Sequence, residues 1–513
     1  MNLAGPIRYW SRRMGDRAVF VMDDRTVTWR ELDERTSRLA QGLMSLGVRK
    51  GDRVALLTTN CIEFCETVLA VLKMGAILVP LNYRLAPSEL DEIVQRSGTS
   101  LIVGYASLLG PLAELAGPKA AWRGVVIRQT DDAPAARLEA AAEYEALIAE
   151  SDPVDPMATF PPEHPAFICY TSGTTGLPKG AVLSHRNVMG TALERITCDE
   201  WNSSDVGYIP YAIAFTGGLV SMWMPLYVAG SIVVLDASFE AERALSIIEQ
   251  HKVTAFIAVG AVLMAMATSP AFEAADLSSL TTLATGGQPI PVELVRHYAR
   301  KGLPLAQQYG LTEGGGLNLI LPGDQAISRI GSTGLATPQC EARILDPDGK
   351  ECAVGDVGEL VIRGPQVMER YWDDPTTTAE TIVDGWLHTG DLARVDADGY
   401  FEIVDRKKDM LISGGLNIYP AEIERVLAEV GALEEAAVIG VPDPRWGEVP
   451  VVVARPRAVT SEQEILDFCR DRLGRYKVPK RVILREAPLP RGMSGKVLKK
   501  ELRAEYDSID TEA

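Results

Sequence analysis

From Arg53 the run "RVALLTTN" is almost wholly apolar, "CIEFCETVLAVLKMG" carries its apolar residues at helical spacing, and "AILVPLN" is apolar again. The pattern predicts strand, helix, strand, with Gly75 as the residue that stops the helix. The same alternation recurs in "SIVVLD", "AERALSIIEQHK", "VTAFIAVG" and a further apolar helix from Ala261. Near-continuous apolar strands separated by helices belong to sheets covered on both faces, so the expected body is a doubly wound α/β fold with mainly parallel strands.

Beyond Gly331 the texture changes. "CEARILDPDG", "GDVGELVIRG" and "GYFEIVDR" are short alternating strands set between Asp/Gly turns, which predicts a small β-rich subdomain. After "DRKKD" it changes again. "NIYPAEIERVLAEV" opens a helix, with Pro420 in its first turn, Glu422 and Glu424 at the favourable end, and Ile423, Val426, Leu427 and Val430 on one face. "SEQEILDFCRDRL" starts with a capping box of Ser461 and Glu464, and "AAVIGV" and "RVILRE" read as flanking strands. These pieces form a compact α/β unit, with its boundary placed at Asp405 to Asp409. "DDAPAARLEAAAEYEALIAE" is read as an Ala/Glu-rich surface helix.

Tyr208 to Leu235 contains no charged residue, which is long enough to span a bilayer. Pro210, Gly217, Gly218, Pro225 and Gly230 divide it, however, and the reading is a loop, a short buried helix over Leu219 to Tyr227, and the strand Ser231 to Leu235. A chain of 513 residues exceeds one ordinary core and suggests about three domains or subdomains. Lys plus Arg number 51 against 69 for Asp plus Glu, a net charge of −18, which argues against a general nucleic-acid or anionic-membrane surface. An anionic ligand must then be met by local donors. The seven cysteines show no CxxC spacing and Arg8, Arg12 and Arg13 precede no apolar stretch, so a reduced cytoplasmic location without a signal peptide is expected.

Candidate chemistry starts at "YTSGTTGLPKG", Tyr170 to Gly180, a hydroxyl- and glycine-rich loop with one lysine that follows the apolar run Ala166 to Cys169. Free backbone N–H groups, hydroxyls and a cation suit a phosphate. The Walker A spacing is absent, so an ordinary P-loop NTPase is excluded, and by composition alone a surface loop fits as well. Four further stretches accompany it: "TGGQP" (Thr285 to Pro289), "QQYGLTE" (Gln307 to Glu313), "WLHTGD" (Trp386 to Asp391) running on to "DRKKDMLISGG", and "PRGMSGK" (Pro490 to Lys496).

With these five motifs in this order, from about Thr26 to Leu502, the chain resembles the adenylate-forming enzymes, in their acyl-CoA synthetase branch. The resemblance implies a large N-terminal AMP- and acid-binding domain over 1–405, made of doubly wound α/β subdomains and a small distorted β-barrel. It also implies a smaller mobile C-terminal α/β domain over 406–513, with Lys408 as the hinge. The implied reaction takes a carboxylate, ATP and Mg2+ to an acyl-adenylate and pyrophosphate, and CoA then displaces AMP. Thr171, Ser172, Gly173, Thr174, Thr175 and Lys179 match the phosphate loop. Gly286, Gly287 and Gln288 match the adenine site with Tyr309. Thr312 faces the α-phosphate, Glu313 matches the metal ligand, and Asp391 and Arg406 match the ribose contacts. Lys496 matches the lysine that meets the reacting carboxylate and α-phosphate; related synthetases are acylated there, so an acetyltransferase and deacylase are implied partners. For CoA the matches are Arg84, Gly414, Gly415, Trp446, Tyr476 and Lys480, which are equally readable as surface packing.

Where many relatives carry a histidine over the acyl tunnel, this chain has "IPYAIAFTGG", Ile209 to Gly218, leaving Tyr211 or Phe215 for that place. The stretch holds no Asp, Arg or Lys to pair an amino group or second carboxylate. A hydrophobic monocarboxylic acid, fatty or aromatic, is therefore expected, lined by Tyr211, Phe215, Met222, Val259 and Met264. The alternative is a stand-alone adenylation enzyme that loads a carrier protein. No nucleic acid or membrane span is expected as a partner, and self-association into a homo-oligomer is left open.

Overall fold

The computed structural model describes residues 2–117, 121–129, 140–171, 178–288, 290–413, 416–443, 445–492 and 496–506. Two compact units emerge: one comprises residues 1–330, 334–341 and 362–387, and the other 331–333, 342–361 and 388–513.

The first unit contains two large sheets. One runs in the order Arg370–Tyr371, Lys179–Ser184, Pro165–Thr171, Ile77–Pro80, Arg53–Leu57, Leu101–Tyr105, Arg123–Ile127, Ala140–Glu143. Its central strands pair in parallel, and the antiparallel pairs lie at the Lys179–Ser184 end. The expected strand–helix–strand unit is present, with helix Ile62–Met74 ended by Gly75 at φ +75°. That left-handed residue donates back to Leu72 and Val71, satisfying carbonyls the helix leaves open.

The other sheet runs Leu335–Ala336, Leu319–Leu321, Ala306–Tyr309, Thr282–Gly286, Ala255–Ile257, Val206–Ile209, Ile232–Leu235, Ala18–Met22, Arg25–Thr28. Helices Ala241–His251, Gly260–Thr268 and Val292–Arg300 bury Leu245, Ile248, Leu263, Met266, Leu294 and Tyr298 in a common core with Tyr208 and Phe256. Both sheets are thus mainly parallel and helix-covered, the α/β architecture expected from the alternating pattern.

Two sequence expectations need adjustment. The Ala/Glu-rich stretch is not one surface helix. Ala140–Glu143 is a strand on the edge of the first sheet, and only Tyr144–Glu150 is helical, with Tyr144, Leu147 and Ile148 buried; residues 131–139 lie outside the described set. A free edge beside Arg123–Ile127 outweighed the helix propensity of alanine. The buried helix expected over Leu219 to Tyr227 extends across residues 216–229, and Leu219–Trp223 within it is a π-helical turn. Among the described residues no helix is long and apolar enough to cross a membrane.

In the second unit, strands Leu416–Ile418, Leu411–Ser413, Gly447–Pro456 and Leu433–Asp443 form a sheet, with Arg481–Leu484 parallel to Gly447–Pro456. Alternation along the strands separates two cores. Val438, Val452 and Ala454 face helices Pro420–Leu427 and Glu462–Arg470, whereas Ala437, Ile439, Val451 and Val453 face Leu489 and Leu502. The capping box of Ser461 and Glu464 is formed. The small β-rich subdomain expected beyond Gly331 is a five-stranded sheet that includes Glu341–Leu345, Gly358–Arg363, Trp386–Val395 and Phe401–Arg406.

Gly75 offers a direct test of the first unit. A Cβ there would lie 2.9 Å from Cε1 of Phe160, at a φ that L-residues disfavour. Gly75→Ala is expected to cost about 1–2 kcal/mol, read as faster amide exchange across Ile62–Met74.

Candidate active site

The site in the first unit forms where two strand ends meet. Strand Pro165–Thr171 leaves the eight-stranded sheet at Thr171, and the chain returns as strand Lys179–Ser184, with Thr171 opposite Lys179. The short strand Arg370–Tyr371 adds to the far side of this return, Tyr371 opposite Ala181. From the nine-stranded sheet, strand Ala306–Tyr309 ends at Tyr309 and turns through the short helix Thr312–Gly314. The turn is tight: a Cβ on Gly310 would stand 2.2 Å from the Gly316 carbonyl oxygen, while Gly315 and Gly316 have φ of +74° and +97°. Only glycine fits such approaches.

Glu313 is the meeting point. Its Oε1 accepts from the Tyr371 hydroxyl at 2.9 Å and from the Thr171 hydroxyl at 3.3 Å, and its backbone carbonyl accepts from Met368 N–H at 2.8 Å. The Lys179 ammonium lies 5.4 Å from the centre of the Tyr371 ring. Thr312 Oγ1 is 3.1 Å from Thr216 Oγ1, which joins this turn to the uncharged segment after Ile209. Burial, reinforced by the Glu313 charge, raises the Tyr371 phenol well above its ordinary range, so it stays protonated and donates. Burial likewise pushes the neighbouring Cys169 thiol up to about 12, partly offset by the Thr216 hydroxyl, so this cysteine is not a thiolate nucleophile.

Gly286 and Gly287 play different parts. A Cβ on Gly286 would lie 2.4 Å from the Gln308 carbonyl oxygen, so the strand pairing requires glycine there. Gly287, at φ +83°, has open space beside it and is exposed, as is Gln288. Tyr309 is half-buried at the end of its strand. Ser172, Gly173, Thr174 and Thr175 lie outside the described residues.

Comparison with known proteins places the chain in a family. Residues 7–372 match the family model described as AMP-binding enzyme, and residues 422–496 match the AMP-binding enzyme C-terminal domain. The chain belongs to the AMP-binding enzymes. Within them it falls in the acyl-CoA synthetase branch of the adenylate-forming enzymes. It is 39% identical over 498 residues to a feruloyl-CoA synthase of Amycolatopsis sp, covering 96% of this chain and 97% of the relative. It is 36% identical over 491 residues to a long-chain-fatty-acid–CoA ligase of Mycobacterium tuberculosis, covering 94% of each. Among solved structures, the o-succinylbenzoate CoA synthetase of Bacillus subtilis in complex with its acyl-adenylate superposes with a TM-score of 0.87 at 29% identity, covering 97% of each chain.

The remaining sequence candidates of this synthetase divide between the units. In the second, Asp391 and Arg406 are paired across antiparallel strands, Oδ1 to Nε at 2.6 Å, with Asp391 buried and Arg406 more open. Asp405 is buried beside them. Its carboxylate accepts from the Arg406 N–H at 2.7 Å and from Ala421 N–H at 2.8 Å at the start of helix Pro420–Leu427. Burial raises its pKa, partly countered by those donors. Lys407 pairs with Glu359 and Asp409 with Arg503, and Lys408 lies exposed on the turn between them. Lys496 is exposed; its carbonyl accepts from Gly492 N–H, and Leu498 N–H donates to the Pro490 carbonyl, each at 2.8 Å, while residues 493–495 lie outside the described set.

The CoA candidates fall in both units. Trp446 is 40% exposed under the Arg445 guanidinium, Tyr476 is 46% exposed beside Lys477, and Lys480 is exposed. Arg84, in the first unit, is exposed over the Tyr83 ring. Gly414 and Gly415 lie outside the described residues. The five acyl candidates are not equivalent either. Met222 is fully buried on the π-helical turn, Tyr211 and Phe215 are half-buried in the loop before it, and Val259 and Met264 are exposed at the start and along one face of helix Gly260–Thr268.

Sequence reasoning missed Tyr371. Its signal was faint: a tyrosine in "MERYWDD" whose partner lies 58 positions away. Both hydroxyls donate to Oε1, and among the described residues no hydrogen bond reaches Oε2 of Glu313; a carboxylate oxygen so placed has the chemistry that suits a hard divalent ion such as magnesium. Tyr371→Phe is expected to raise the magnesium concentration needed for half-maximal pyrophosphate release about 10- to 100-fold, the usual cost of losing such an orienting partner. An unchanged magnesium titration would remove Tyr371 from this role.

Proposed function

We propose that the chain joins a hydrophobic monocarboxylic acid, fatty or aromatic, to coenzyme A through an acyl-adenylate. One carboxylate oxygen of the acid attacks the α-phosphorus of ATP and pyrophosphate leaves. The thiol sulfur of CoA then attacks the acyl carbon, its proton passing to solvent, and AMP leaves with the electron pair of the broken C–O bond. The observation that carries this reading is the junction of Thr171, Thr312, Glu313 and Tyr371 at the carboxyl ends of parallel strands, the usual ligand-binding place in such sheets. The uncharged stretch Pro210 to Gly218 beside Thr312 supports a hydrophobic acid, and the feruloyl-CoA and fatty-acid relatives lie on the two sides of the aromatic-versus-aliphatic choice. The use of ATP and CoA fits a cytoplasmic enzyme.

Within this reading Glu313 holds magnesium, which when bound neutralises phosphate charge. Thr171 and Lys179 meet the β- and γ-phosphates, Tyr309 stacks on adenine, and the Asp391 carboxylate accepts from the ribose hydroxyls beside Arg406. Lys496 supplies the cation where the carboxylate and α-phosphate, both anionic, must approach. The decisive test is a panel of carboxylic acids incubated with ATP and CoA and scored for AMP and acyl-CoA. Production of AMP without any acyl-CoA across the panel would reject CoA as the acceptor.

Two predictions separate the half-reactions. Lys496→Ala is expected to slow adenylate formation about 100- to 1,000-fold while largely sparing conversion of supplied acyl-AMP with CoA, since thiol attack on a carbonyl needs the cation far less. Acetylation of Lys496 removes the same charge and should have the same selective effect. The domains are proposed to divide at 405/406, with Lys408 as pivot between an orientation for each half-reaction. Lys408→Pro fixes φ and removes a backbone donor, so it should leave adenylation near the parental rate and severely slow thioester formation. Parental rates in both steps, from a folded protein, would exclude rotation at this residue.

A further inference from the structure

Asn60 is 2% exposed, between strand Arg53–Leu57 and Cys61, the residue that caps helix Ile62–Met74. Among the described residues, none of its side-chain hydrogen bonds is to its own sheet. Nδ2 donates to the carbonyl oxygens of Tyr211 at 2.8 Å, Asp236 at 2.9 Å and Ile209 at 3.3 Å, and Oδ1 accepts from Ile213 N–H at 2.8 Å. Two amide hydrogens serving three carbonyls means that one is shared, and only a primary carboxamide can donate and accept in this way.

The partners are the carboxyl ends of the adjacent parallel strands Val206–Ile209 and Ile232–Leu235 and the irregular loop after the first. From Pro210 to Phe215 the loop has no strand partner, so Asn60 supplies the hydrogen bonds that a ladder would otherwise give it. Two further constraints fix its course. Gly218 packs so closely that a Cβ would stand 2.8 Å from Ile213 Cα, and Thr216 holds Thr312.

We propose that Asn60 is a positioning residue for acid selection: it holds the main chain of Ile209 to Ile213 as a fixed wall, so that Tyr211 and Phe215 present one shape to the acyl group. This rests on the reading that Pro210 to Gly218 borders the acid. Asn60 touches no reacting atom. It acts through the loop, and its loss should be felt by the acid and not by ATP.

The test uses the full chain with Asn60→Ala and Asn60→Asp, together with Gly218→Ala, which disturbs the same loop from the other side, and Phe215→Ala, which alters the wall itself. Asn60→Ala should raise the acid KM about tenfold or more, reorder preference across a panel of aliphatic and aromatic acids, and leave the ATP KM within about twofold. Gly218→Ala should show the same signature. Amide exchange gives a readout independent of turnover: Ile213 N–H should lose protection in Asn60→Ala, and also in Asn60→Asp, whose second carboxylate oxygen would face three carbonyl oxygens with no hydrogen to donate. If Gly218→Ala and Phe215→Ala reorder the acids but Asn60→Ala does not, Asn60 has no positioning role and the pocket assignment stands. If none of the three reorders them, the pocket assignment itself fails. An ATP KM that rises as much as the acid KM in a folded Asn60→Ala protein would make the residue merely structural and overturn the proposal.

Discussion

The junction between the two sheets of the first unit is built on a carboxylate held by two neutral hydroxyls that come from a different sheet. Glu313 belongs to the turn after strand Ala306–Tyr309, whereas Thr171 and Tyr371 belong to the eight-stranded sheet. Hydrogen bonds to an ionised acceptor are stronger than neutral ones. They also leave the charge intact, which an ion pair with lysine or arginine would not. The strand end at Thr171 and the turn that carries Glu313 are thereby joined without a cation being used to pair the carboxylate. Thr216 and Thr312 repeat the arrangement on the other side of the turn, again with no formal charge consumed.

The glycines follow from this geometry. A chain that must reverse from Tyr309 to Gly316, bring the side chains of Thr312 and Glu313 to their partners and return as strand Leu319–Leu321 has no room for Cβ atoms on its inner side. The positive φ of Gly315 and Gly316 is therefore part of how Thr312 and Glu313 are aimed.

Much of this was legible in the chain. Apolar runs of strand length, the glycine after Met74, Pro420 and the Ser461 capping box each act locally, so periodicity and end signals located them. The motif residues Thr171, Thr312 and Glu313 were legible because their order and spacing resemble a family. Tyr371 and Asn60 were not, because their meaning lies in partners far along the chain: a tyrosine becomes a donor to Glu313 only after an edge strand has formed, and an asparagine in a strand-to-helix turn looks like ordinary turn chemistry. The strand Ala140–Glu143 escaped for a related reason, since its alanines pair with an edge that exists only in the folded sheet.

Among the described residues, the side-chain hydrogen bonds of Asn60 end on peptide groups and not on the side chains of Tyr211, Ala212 or Ile213. Peptide groups are the same whatever residue bears them. A wall fastened in this way has its frame and its facing decoupled, so the residues that face outward from it are free to change in evolution without loosening the frame or the turn that carries Glu313. Such a scaffold can be retargeted from one carboxylic acid to another by substitutions that leave the adenylating machinery where it was.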